Sequence, residues 1–328
     1  MATSQQLKAL LQSYMENDRE QFLSVALQMA AAEARKGHTT VARELKDLVD
    51  QVRDKRPRAT DPVPLARPRG ELADLLSQSY PQERLADLVI RGDLLTQLHR
   101  VLREQRQAVA IKEHGLVPRR KLLLAGPPGT GKTLTARVLA GEIGIPLFVV
   151  RMDAIVTKFM GETSAKLRQV FDAFADRRGV YLFDEFDGIG AERGRDNEVG
   201  EMRRVLNTFL QLVEHDHSDS LIIAATNHVS VLDQALFRRF DDVLMFERPN
   251  DAEIAELIKR RLARFAPKSR NYTKLIGAAS GLSHSEITSA CNDAVKDAIV
   301  HGENCASLQV LESALTHRSR LASEHGKR

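Results

Sequence analysis

Lys121-Leu122-Leu123-Leu124-Ala125, running straight into Gly126-Pro127-Pro128-Gly129-Thr130-Gly131-Lys132-Thr133, decides how the rest of the chain is read. A short apolar run forms a strand, and the residues after it fit G-x-x-x-x-G-K-[ST], the pattern of a phosphate-binding loop that opens a helix. Glycines let the backbone curl so that successive N–H groups converge on a phosphate chain, and the helix behind them presents its positive end to the anion. On this reading Gly126, Pro128, Gly129, Thr130, Gly131, Lys132, Thr133 and Leu134 cradle a nucleotide. Lys132 meets the β- and γ-phosphates, and Thr133 offers its hydroxyl to Mg²⁺. The competing reading of the same residues is a Gly/Pro turn between a strand and a helix.

Working outward, a helical stretch from Leu94 to Glu113 precedes the loop. Apolar runs follow at Pro146–Val150, Val180–Phe183, Leu221–Ala225 and Asp242–Phe246. Continuous apolar runs of this length fit strands buried on both faces, so the spacing predicts an α/β domain with a five-stranded parallel sheet. The third strand ends in Asp184-Glu185, which would deliver two carboxylates to the edge of the sheet where ligands bind. Asp184 then joins Thr133 in holding Mg²⁺, and Glu185 polarises the water that attacks the γ-phosphate. The fourth strand ends in Thr226-Asn227-His228; an amide there either orients that water or simply forms a turn.

Four motifs in one order, GPPGTGKT at 126–133, Phe183-Asp184-Glu185, Ala225-Thr226-Asn227 and Leu232-Asp233-Gln234-Ala235-Leu236-Phe237-Arg238-Arg239-Phe240-Asp241, resemble the AAA family of the AAA+ ATPases across about residues 85 to 320. The resemblance implies a P-loop NTPase fold, ATP and Mg²⁺ as cofactors, and ATP hydrolysis. It also implies Asn227 as the sensor, and a homo-oligomeric ring, usually a hexamer, in which Arg238 and Arg239 are fingers reaching a neighbouring subunit's nucleotide. The family commonly spaces these arginines by two residues, whereas here they are adjacent, which leaves open which is the main finger. Lys158-Phe159-Met160-Gly161 resembles the aromatic-hydrophobic-glycine loop that lines the family's central pore, where large adaptable side chains grip a polypeptide. Phe159 and Met160 can instead staple the following helix to the core. Gly190 to Asp196, charged and glycine-rich, fits a second such loop.

Beyond the core, Asn250 with Glu253 and Ser283 with Glu286 stand at capping-box spacing, each ahead of a helical apolar pattern. Together with a last helix over about Ser307–Arg318 they predict a helical lid spanning 249–328. Gly281-Leu282-Ser283-His284-Ser285-Glu286 lies where the family usually has Gly-x-Ser-Gly-Ala-Asp. His284 is therefore either a base contact of unusual kind or only the start of a helix.

Before the core (83–248), residues 1–54 show three amphipathic runs with short connections, a small three-helix bundle that resembles the microtubule-interacting-and-trafficking type of domain on spastin- and katanin-like ATPases. It reads as an adaptor for a protein substrate or effector, or as a packing module. Residues 55–82 hold Pro57, Pro62, Pro64, Pro68 and several arginines, a composition expected of a basic, extended linker.

The 328 residues, 43% of them hydrophobic, can build such domains. No apolar run approaches the roughly 20 residues of a membrane span, and the first residues lack a signal pattern, so a cytoplasmic location is expected. Cys291 and Cys305 are the only cysteines and are expected as buried thiols. The net charge of +4 is mild and its basic linker lacks aromatics, so nucleic acid is not expected as a partner. The leading expectation is a ring-shaped protein remodeller or unfoldase. The alternative is a nucleotide-gated scaffold that holds and releases an effector without threading it, with a DNA-dependent motor or loader behind both.

Overall fold

Alternation of apolar side chains along each strand sets the layering. The computed structural model describes residues 71–155, 160–185, 196–227, 237–267 and 272–325, together with positions 25, 29, 30, 32, 34 and 43. The chain divides into two units, Met1–Pro62 and Val63–Arg328. In the first, Val25, Met29, Ala30, Ala32, Ala34 and Arg43 are helical and Ala30 is buried. The rest of the bundle expected over 1–54, and the linker as far as residue 70, lie outside the described residues.

In the second unit the order is α1 (Glu71–Leu75), β1 (Leu76–Ser79), α2 (Gly92–Arg106), α3 (Ala108–Glu113), β2 (Lys121–Ala125), α4 (Lys132–Ile143), β3 (Leu147–Val150), α5 (Met152–Ile155), α6 (Met160–Asp176), β4 (Val180–Phe183), α7 (Asp196–His215), β5 (Leu221–Thr226) and β6 (Asp242–Met245). The lid helices follow as α8 (Asp251–Arg261), α9 (Thr273–Ala279), α10 (His284–Val300) and α11 (Leu308–His325).

The sheet order is β1-β3-β4-β5-β2-β6. The five expected strands are present and parallel, but a sixth, β1, pairs antiparallel with β3 at one edge. Both β1 and α1 come from the stretch 55–82 that reads as linker, so that expectation is corrected from residue 71 onward. Leu75 and Leu76 bury themselves beside Phe148 and Val150, and the polar Ser77, Gln78 and Ser79 hide the strand from a hydrophobic pattern. The single helix expected over 94–113 is two, α2 and α3, meeting at Gln107.

Leu122, Leu124, Leu147, Val180, Leu182, Ile223, Ala225 and Leu244 face α2 and α4. Leu123, Phe148, Val150, Tyr181, Phe183, Ile222 and Ala224 face α6 and α7. The result is a three-layer α/β/α sandwich whose central strands are sealed on both sides, each fully buried Leu or Ile contributing about 1.5–3 kcal/mol. On the α6/α7 side the filling is aromatic: Phe148 stacks on Tyr181 with ring centroids 4.7 Å apart, and Phe183 meets Phe209 edge-on at 4.8 Å.

The amino edge of the sheet is pinned by charge. Asp241 Oδ2 accepts from the backbone N–H groups of Arg120 and Lys121, both at 2.9 Å, which aligns β6 with β2. Arg120 is ion-paired with Asp216, the two side chains 7% and 8% exposed.

The lid has its own core, with Ile254, Leu257, Ile258, Ile287, Cys291, Leu311 and Leu315 among its buried residues. Both capping boxes form: Asn250 Oδ1 accepts from Glu253 N at 2.9 Å, and Ser283 Oγ from Glu286 N at 3.3 Å. Helix α9 was not expected, being short, and α11 extends past Arg318. Burial pushes the Cys291 thiol up to about 12, whereas Cys305 is half-exposed, which corrects the expectation that both are buried. Among the described residues no helix is long and apolar enough to cross a membrane.

Candidate nucleotide site

The loop begins where β2 ends between β5 and β6. Gly126 N donates to Thr226 O at 3.3 Å and Phe246 N to Ala125 O at 2.7 Å, so the turn is held by both neighbours. A Cβ on Gly126 would strike the Phe246 carbonyl, which is why no larger residue fits there. Thr130 Oγ1 donates to Pro127 O at 2.8 Å, bracing the loop from within. Gly131 precedes the first turn of α4, and the next residue, Lys132, is buried, its ammonium donating to the carbonyls of Gly126 at 2.7 Å and Pro127 at 2.8 Å.

The acidic end of β4 comes to the same place. Thr133 Oγ1 donates to Asp184 Oδ2 at 2.7 Å, and Asp184 Oδ1 accepts from the Glu185 N–H at 3.0 Å. Glu185 has φ of 51°, the one positive value outside glycine among the described residues, and its side chain is exposed. A non-glycine residue in that region stores strain, which concentrates at working sites. Pro128 to Leu134, Asp184, Glu185 and Asn227 all line one cavity of about 400 Å³. The hydroxyl of Thr133 and carboxylate of Asp184, meeting at hydrogen-bond distance on its wall, are the oxygen donors Mg²⁺ takes when phosphate oxygens and water complete its shell, so the residues fit that ion.

The rest of the cavity lining includes residues that the motifs did not single out: Leu88, Val89 and Ile90 from the segment before α2, Leu257 and Arg261 from α8, and Thr288 from α10. His284, marked in the sequence as either a base contact or a helix start, lines the cavity with them. Asp87, Ser285 and the loop complete the rim. Ser285 N donates to Gly129 O at 3.0 Å, so the start of α10 is fastened to the phosphate loop. The available signal was the helical register from Asn250 through Leu257 to Arg261; the segment 87–90 carried none.

Arg238 and Arg239 lie elsewhere. They precede β6, whose first residue Asp242 pairs with Leu122, whereas the loop follows the last residue of β2, Ala125, which pairs with Met245. The arginines therefore sit at the amino edge of the sheet, about a strand length, roughly 13 Å, from the loop. Arg238 is exposed, and Arg239 Nε pairs with Glu214 Oε2 at 3.1 Å at the end of α7. Of the pore-loop residues, Lys158 and Phe159 lie outside the described residues; Met160 opens α6 and Gly161 is exposed in its first turn. His228, residues 232–236 and residues 190–195 of the second loop are also outside them.

The family model for the ATPase family associated with various cellular activities (AAA) matches residues 122–248. The uncharacterized AAA family ATPase y4kL of Sinorhizobium fredii is 34% identical over 92% of this chain and 90% of its own length. The ATP-dependent zinc metalloprotease FtsH of Rhodothermus marinus is 34% identical over 59% of this chain but only 29% of FtsH. ATPase family gene 2 protein homolog A of Homo sapiens is 34% identical over 58% of this chain and 22% of that protein. A phosphate loop, an acidic strand tip and a helical lid around one cavity, matched over most of the chain by such a relative, make the chain a member of the AAA family, P-loop ATPases that use ATP and Mg²⁺.

Proposed function

We propose that the chain assembles into a ring that is required for turnover, and uses ATP to remodel or unfold a protein. In each site Lys132 meets the β- and γ-phosphates, and Thr133 and Asp184 hold Mg²⁺. An ion held there would supply positive charge against the phosphate oxygens. Glu185 takes the proton of the attacking water, and Asn227, at the end of the neighbouring strand β5, orients that water. The strained backbone of Glu185 supports this role, since such strain concentrates at working sites and the residue lines the cavity at the tip of β4.

The observation that carries the ring reading is the position of Arg238 and Arg239. A cation across the sheet from its own cavity cannot stabilise the transferring phosphoryl group there, but an exposed Arg238 can do so for an adjoining subunit. Arg239, tied to Glu214, then positions the turn, and Arg238 is the main finger. Protein as the substrate class draws on the FtsH relative, whose name describes an ATP-dependent protease, and on the likeness of 158–161 to a pore loop. The N-terminal helical unit would choose the substrate or effector, acting in the cytoplasm.

Phe159→Ala tests the remodelling step. Loss of substrate unfolding with ATP turnover retained is the expected result. Undiminished unfolding would favour the scaffold reading, in which the ring holds and releases an effector without threading it.

A further inference from the structure

His284 is the first residue of α10, and its neighbours fasten it to the phosphate loop. Ser285 N donates to the Gly129 carbonyl at 3.0 Å, and on the other side a Cβ at Gly129 would lie 2.7 Å from Ser283 Oγ, so lid and loop are in close contact on both flanks of the histidine. The imidazole lines the same cavity, as do the apolar side chains of Leu88, Val89, Ile90 and Leu257. With the phosphates of a nucleotide on the loop, these apolar residues are the part of the lining suited to its base.

Both ring nitrogens of His284 are buried, and beyond a loose approach to the backbone of Val89 neither has a hydrogen-bond partner, which is rare for polar atoms in a protein interior. Burial lowers the imidazole's pKa, opposed by the backbone of Val89, and the neutral ring carries one N–H and one lone pair. The Val89 carbonyl, an acceptor, favours the N–H on the nitrogen that turns toward it. The other nitrogen is left with its lone pair, which can accept from an amino group and is repelled by a carbonyl oxygen.

We propose that His284 reads the base: on nucleotide entry the ring turns in its slot and accepts a hydrogen bond from the 6-amino group of adenine, selecting a 6-aminopurine over a 6-oxopurine. The inference rests on the nucleotide reading of the cavity and adds to it the residue that sets base preference. It also accounts for an imidazole at a position where the family usually has a small residue, a replacement that fills space beside the base and puts a polar atom there.

Calorimetric titration of the full chain with ADP, purine riboside 5′-diphosphate and GDP tests it. The wild type is expected to bind ADP about tenfold more tightly than purine riboside diphosphate, which lacks only the amino group, and GDP more weakly still. In His284→Leu the ADP advantage over purine riboside diphosphate disappears, and in His284→Asn, whose amide oxygen can accept, part of it remains. Equal wild-type affinity for ADP and purine riboside diphosphate overturns the assignment, as does full discrimination in His284→Leu. If that variant does not fold, the wild-type and Asn comparisons decide. No binding of any of the three would instead remove the nucleotide site itself.

Discussion

The two edges of the sheet handle charge in opposite ways. At the carboxyl edge Lys132, Thr133, Asp184, Glu185 and Asn227 turn toward one cavity, and the loop's own carbonyls hold the ammonium in place. At the amino edge Arg120 is sealed against Asp216 and the strand ends are stitched by Asp241, while Arg238 is exposed. The difference separates charge used to bind from charge used to brace, and exposed Arg238 does neither within its own chain's cavity. On the proposed reading that cation belongs to a second, composite site.

The comparison breaks most readily at the carboxyl edge. Glu185→Gln is expected to lower steady-state phosphate release about 10³-fold while leaving ATP affinity near normal, because the amide keeps the shape but cannot take a proton. An unchanged rate would show that the carboxylate is not the base. Next, Arg238→Ala is expected to lower turnover on the order of 10²-fold in assembled protein, with ATP affinity within a few-fold of wild type. Arg239→Ala, which removes a partly exposed pair with Glu214, should cost less, and the reverse ranking would exchange their roles.

Bracing charge has a different signature. Asp216→Ala strands the buried Arg120 and is expected to cost about 3 kcal/mol in urea unfolding, whereas changing both partners to apolar residues of similar size should recover most of that. Equal losses in the single and double variants would mean that the pair is not what matters. The smallest effect is expected at the lid, where Asn250→Ala removes the cap of α8 and should cost about 1 kcal/mol, read as a drop in melting temperature. No drop would mean that the lid is held by its core and its seat on the loop alone.

These regions also differ in how far the amino-acid order revealed them. The phosphate loop, Asp184 and both capping boxes were legible because each depends on residues close in sequence: a glycine pattern, a strand tip, a polar residue three places from its glutamate. The edge strand β1 was not, since its one deeply buried apolar residue, Leu76, is followed by Ser77, Gln78 and Ser79, and its place is set by pairing with β3, some 70 residues away. Most of the cavity's apolar lining was obscured for the same reason. His284 stood out by its place in a motif, but Val89 and Leu257, which line the cavity with it, come from distant segments that only packing brings together. Nor could spacing reveal that Arg239 is engaged by Glu214 while Arg238 is exposed, because the contact joins the end of α7 to the turn before β6.

Whether the two edges complete sites in different subunits can be measured directly. Protein carrying Lys132→Ala, with arginines intact, is mixed with protein carrying Arg238→Ala and Arg239→Ala, with its phosphate loop intact, and ATP turnover is followed as the ratio is varied. Each alone should be nearly inactive, and the mixture should recover activity, greatest at intermediate ratios, where a subunit with an intact loop adjoins one with intact arginines. Mixtures that exchange subunits yet stay as inactive as their components would contradict it.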